Sequence, residues 1–141
     1  MAINIEQLRA LQVGDTTTTL QVPPISRTTL ALYAGASSDH NPMHIDIDFA
    51  RAAGVDDVFA HGMLSAAYVG RMVTDWAGQA RLRSLSARFT GITAVHDAPT
   101  CSGIVTERFE QDGETRLRIG MQVANQHGDV KITGQAVIAV I

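Results

Sequence analysis

The change of period at Gly78 constrains the fold more than any other feature of this 141-residue chain. Residues 61–77 read HGMLSAAYVGRMVTDWA. Met63, Leu64, Ala67, Tyr68, Met72, Val73 and Trp76 cover more than one narrow helical stripe, and a helix apolar nearly all round is a buried one. After Gly78 the spacing falls to two. Leu85, Ala87 and Phe89 alternate with Ser84, Ser86 and Arg88, and Leu117, Ile119, Met121 and Val123 repeat the pattern. Strands are expected over 84–89, 100–110, 116–123 and 130–141, with tight turns at Asp112-Gly113 and His127-Gly128. A buried helix followed by four strands in hairpin order is an α+β arrangement, with an antiparallel sheet packed on that helix.

The first sixty residues are less regular. A short helix fits 5–11, and the β-branched run over 16–22 predicts a strand that Pro23-Pro24 ends. Ser26 is placed to cap a helix that fails near 35–38. Pro42 pushes Asn41 out of the helical region, and Asp46 or Asp48 starts a short helix that Gly54 stops. No repeat or linker interrupts the chain, so residues 1–141 are expected to form one domain. Hydrophobic residues make up 45% of the chain, enough for a core, and the net charge is −3 without a basic stripe. That excludes nucleic acid as an expected partner. No apolar run approaches the ~20 residues that span a bilayer. The first residues lack the apolar centre of a secretion signal, so a cytoplasmic location is expected. With one cysteine, Cys101, there is no internal disulfide or multi-cysteine metal site to expect.

The chemistry concentrates in SDHNPMH, residues 38–44, and HGM, residues 61–63. Asp39 can accept a proton and orient a water. His44, with an ordinary pKa of about 6.5, can carry or release a proton near neutrality. Pro42 fixes the backbone between them. Asn41 offers a donor and an acceptor, and could hold either the loop or a substrate. Each residue has a plainer reading, because Asp favours turns and Asn-Pro commonly starts one. A simple turn, however, needs no histidine at a set distance. Gly62 falls in the first turn of the apolar helix, where N–H groups are unpaired and the helix dipole is positive. Its amide can bind an acyl carbonyl; alternatively the glycine only permits close packing. His61 reads as a helix-start residue with a structural hydrogen bond. Ser65 and Tyr68 read as packing residues, and Ser65 lies outside any nucleophile-elbow pattern. The five histidines show no metal-ligand spacing.

These residues resemble the MaoC-like hydratases and dehydratases. The likeness rests on Y-x-x-x-S-x-D-x-N-P-x-H, starting at Tyr33, followed by AHGM at 60–63, and extends over nearly the whole chain. It implies a hot-dog fold, in which an antiparallel sheet wraps a long central helix. It implies catalytic roles for Asp39 and His44, polarisation of a thioester carbonyl by the Gly62 amide, and loop or substrate support from Asn41 and His61. The expected reaction is reversible hydration of trans-2-enoyl thioesters to (R)-3-hydroxyacyl thioesters. No cofactor or metal is expected; CoA or the phosphopantetheine of a carrier protein belongs to the substrate. The resemblance also implies a homodimer or higher oligomer, or a heterodimer. Alternatives are a thioesterase on the same fold, or a subunit of a heteromeric dehydratase acting on a bulky acyl-CoA. Two positions depart from the family pattern. Ser38 stands where glycine usually precedes the acid, and would be strained if φ there is positive. Gly70 stands where some members carry serine, which suggests wider acyl space.

Overall fold

A computed structural model describes residues 2–141. The chain opens with α1 (Ile5–Ala10), capped reciprocally by Asn4 and Gln7, which sends the fully buried Leu8 into the core. Strand β1 is only Leu20–Gln21. The strand expected over 16–22 is therefore mostly absent. Thr16 makes a single bridge to Ile104, and the Thr17 hydroxyl bonds the Thr18 carbonyl. Such local bonding competes with a ladder and leaves the segment skirting the sheet edge.

Helix α2 (Arg27–Ser37) is capped by Ser26, whose Oγ accepts the Thr29 N–H. Asp46 caps the short α3 (Ile47–Ala52) by accepting from Asp48 and Phe49. Helix α4 (Gly62–Ala77) runs across the sheet formed by β2 (Leu82–Phe89), β3 (Thr100–Gln111), β4 (Glu114–Ala124) and β5 (Val130–Ala139). Asp112 and Gly113, both at positive φ, join β3 to β4, as a two-residue hairpin requires.

All neighbouring strands are antiparallel, in the order β1-β3-β4-β5-β2. The expected hairpin order holds for β3, β4 and β5. Strand β2 departs from it, pairing with β5 from Leu82↔Ile138 to Phe89↔Ile132 at the opposite edge from β1. Alternation assigns faces, not neighbours, so this crossing was not encoded in the period.

Helix α4 packs Val69, Met72, Val73 and Trp76 against Leu117, Ile119 and Val123 of β4 and Ile132 and Ile138 of β5. It is not buried all round as expected. Met63 is 59% exposed, and Ala67, Arg71 and Asp75 continue the open side, where Arg71 pairs with Asp75 at 3.2 Å. Met63 and Ala67 look no different from core residues in sequence, so the expected apolar surface is wider than the buried one. A second, smaller cluster lies under α2 and α3: Ile25, Leu30, Ala50, Val58, Ala60 and Leu64. It holds the segment between Ser38 and His61. No helix among the described residues is long and apolar enough to cross a membrane.

Candidate active site

The site is assembled around the start of α4. The α2 helix ends at Ser38, which takes φ 62° and ψ 14°. The position before Asp39 is therefore left-handed, and Ser38 carries strain that glycine would not. This turn delivers Asp39, whose carboxylate accepts the Asn41 N–H at 3.2 Å. The Asn41 side-chain oxygen in turn accepts the Met43 N–H at 3.1 Å and caps a single 3-10 turn, Pro42–His44. Asn41 is thus used by the loop itself.

His44 is placed at the end of that turn. Its Nδ1 lies 2.7 Å from the Phe59 carbonyl oxygen, to which it donates, since a carbonyl only accepts. In the neutral ring Nε2 then bears the lone pair, on a residue that lines a cleft of about 190 Å³. His61 stands at the N-cap position of α4, without a side-chain cap bond, and is 1% exposed. Its Nε2–H donates to the Asp39 carbonyl oxygen at 3.0 Å, and its ring stacks on His44 with centroids 4.0 Å apart. Tyr33 packs edge-on against the same ring at 4.8 Å. His61 thus ties the acid-bearing loop to the helix start, and its buried Nδ1 has no hydrogen-bond partner.

An oxygen of Asp39 and ring nitrogens of His44 and His61 fall within 4.8 Å of one another. No spacing along the chain marks such a triplet. The two imidazoles lie only 29° from parallel. Metal ligation needs the ion near each ring plane at ~2 Å from nitrogen, and planes this close to parallel do not offer one such point to both. The arrangement suits a shared water or proton better than an ion.

Gly62 lines the same cleft as His44. As the first residue of α4 its N–H has no carbonyl partner within the helix. A Cβ at this position would stand 3.0 Å from the Phe89 ring. The helix start therefore leaves this amide unpaired, and the missing side chain admits a close aromatic neighbour. Gly70 is less open than expected. A Cβ there would already touch Leu85 at 3.4 Å, so a β2 side chain occupies the flank.

Sequence reasoning missed Ser65 and Thr93. Ser65, expected to serve packing, is 2% exposed and lines the cleft, with its Oγ 3.4 Å from the Thr93 hydroxyl. The spacing of three from Gly62 was the available signal, since i and i+3 share a helical face. Phe59 acts through its backbone carbonyl, which no sequence pattern marks.

An antiparallel sheet wrapped on one long helix, with an acid–histidine loop at the helix start, defines a hot-dog fold of the hydratase–dehydratase kind. The MaoC like domain family model matches residues 8–126. The chain belongs to that family. It is 30% identical over 118 residues to an (R)-specific enoyl-CoA hydratase of Rhodospirillum rubrum, covering 82% of this chain and 80% of that protein. It is 42% identical over 106 residues, 72% of its length, to the fatty acid synthase subunit beta of Aspergillus oryzae, and spans only 5% of that much longer protein. The unliganded R-hydratase PhaJ1 of Pseudomonas aeruginosa superposes with a TM-score of 0.83 at 27% identity, over 97% of this chain and 84% of that one.

Proposed function

We propose that this chain catalyses the reversible addition of water to a trans-2-enoyl thioester, giving the (R)-3-hydroxyacyl thioester. One observation carries the reading. The Phe59 carbonyl holds His44 through Nδ1 and leaves Nε2 without a protein partner, on a cleft that Gly62 also lines, with an Asp39 oxygen within 4.8 Å of an imidazole nitrogen. In the hydration direction, Asp39 and His44 hold one water, and the dyad takes a proton as the water oxygen bonds to C3. The double-bond electrons move toward the thioester oxygen, where the Gly62 N–H stabilises the enolate. A proton then returns from the dyad to C2, so only water is added. The dehydration direction retraces the same steps. Nothing is oxidised or reduced, so no redox cofactor takes part; proton transfer falls to Asp39 and His44 and carbonyl polarisation to the Gly62 amide, with no step given to a metal, and the CoA or phosphopantetheine arm enters with the substrate. Similarity to an enoyl-CoA hydratase supports this assignment over thioester hydrolysis.

The reading includes assembly with a second chain. Strand β2 is a sheet edge, and Leu85, Phe89 and Ile92 on and beside it are 41%, 52% and 62% exposed. Exposed apolar residues along an unpaired edge mark a surface for another chain. A second copy or a paired subunit meets that need. A cytoplasmic location fits a free thiol at Cys101.

The test is the enoyl absorbance of crotonyl-CoA with the wild-type protein beside Asp39→Ala and His44→Ala. Placed acid–base groups supply ~10²–10⁴ in rate, so each variant should lose nearly all turnover while unfolding at the wild-type temperature. Wild-type rates in both variants would show that the dyad is not the catalyst. Release of free CoA without loss of the double bond would point to the thioesterase.

A further inference from the structure

Ser65 interrupts an otherwise apolar stretch of the buried face of α4, between Leu64, Ala66 and Val69. It is 2% exposed yet lines the cleft beside Gly62. Helical Cα–Cβ bonds tilt toward the N-terminus, so a side chain one turn in leans back over the first, unpaired amides. The Ser65 hydroxyl therefore belongs to the same corner of the cleft as the Gly62 N–H. Its partner, Thr93 Oγ1, is 3.4 Å away, longer than the ~2.5–3.0 Å of a well-made hydroxyl bond. A buried hydroxyl so weakly satisfied is costly in an apolar wall formed by Phe89, Ile92 and Ile132. A ligand oxygen in the cleft removes that cost.

We infer that Ser65 is a second hydrogen-bond donor to the thioester oxygen, acting beside the Gly62 amide, with Thr93 setting its rotamer. The inference rests on the hydratase reading above. No bond forms or breaks at Ser65; its O–H donates more strongly as negative charge grows on the thioester oxygen. Thr93 is itself held in place. Its carbonyl accepts the Ala60 N–H at 2.9 Å, and Phe59 and Ala94 form an isolated antiparallel bridge. The Phe59 carbonyl also fixes the His44 tautomer. One short backbone bridge thus sets the acid–base side and the carbonyl-binding side of the cleft together.

The test compares Ser65→Ala and Ser65→Cys with wild type on crotonyl-CoA, alongside the infrared carbonyl band of bound butyryl-CoA, a saturated analogue that cannot be hydrated. Cysteine keeps the side chain but weakens the donor. Loss of a placed donor costs on the order of 10² in rate, so kcat should fall by about that factor in both variants while KM changes less than about threefold. The carbonyl band, lowered by binding to wild type, should move back toward its position in free butyryl-CoA. Wild-type kcat in both variants overturns the inference. So does a fall in kcat with an unmoved carbonyl band, which assigns Ser65 to packing. If the wild-type protein shows no Asp39-dependent hydration, the hydratase reading fails and this inference fails with it.

Discussion

The two apolar clusters differ in what they hold. The larger one joins α4 to the sheet through long side chains fixed by a continuous hydrogen-bonded ladder. The smaller one, Ile25, Leu30, Ala50, Val58, Ala60 and Leu64, lies beneath two short helices and connecting loops. Its neighbours carry the proposed chemistry: Asp39 and His44 on one side, Phe59 and His61 on the other. Stability and catalysis thereby depend on different contacts. A scaffold built on many paired strands tolerates local change, whereas a loop cluster transmits small shifts to the reacting groups.

Substitution in each cluster separates these roles. Ile119→Ala, at a fully buried β4 site, should lose about 2–5 kcal/mol of stability in denaturant unfolding while the folded fraction keeps its kcat. Leu30→Ala, equally buried on the inner face of α2, should show the reverse balance. Its stability loss falls toward the lower end of that ~2–5 kcal/mol range because the loops can collapse, yet kcat drops by roughly tenfold or more as Asp39 shifts. Equal losses of kcat in the two variants would show that the clusters do not divide these roles.

Ser38→Gly probes the loop side alone. Relief of a left-handed serine should add about 1 kcal/mol of stability, seen as a higher melting temperature. Greater freedom in the unfolded chain offsets part of that gain. Activity should be retained, since glycine keeps the turn that delivers Asp39. A lower melting temperature would mean that the serine side chain supplies more than its backbone costs.

The smallest effect belongs to the sheet side. Arg83 and Arg116 both donate to Glu114, at 2.6 and 3.0 Å, and the Arg83 hydrogen bond holds its carboxyl down at about 2, against an ordinary value of 4.5. The folded pKa lies below the unfolded one. Its contribution is therefore present above 4.5 and is lost as pH falls toward 2. Glu114→Gln should flatten the acid limb of stability between those values without moving the pH profile of kcat near neutrality. A displaced activity profile would link the hairpin to the site.

What the sequence made legible follows the same division. The alternation of Leu117, Ile119, Met121 and Val123 marked the inward face of β4, because a strand shows its faces in a period of two. Asp39, Asn41 and His44 were legible because proline, amide and histidine together are unusual in an ordinary turn. The pairing of β2 with β5 was not, because neighbours in a sheet depend on the path of residues 90–99 rather than on a local pattern. The stacking of His44 on His61 joins residues seventeen apart through loops. Ser65 was harder to read, for another reason. A serine among alanines on an apolar helix looks like filler until the cleft beside it is seen.

Cys101 has one further consequence. The chain has a single thiol, it is wholly shielded in β3, and burial pushes its pKa up to about 11. Thiolate is the reactive form, so a disulfide reagent meets almost none of it in the native protein. The protein therefore carries its own silent probe. Free thiol detected during turnover reports released CoA, and labelling of the chain reports molecules that have opened.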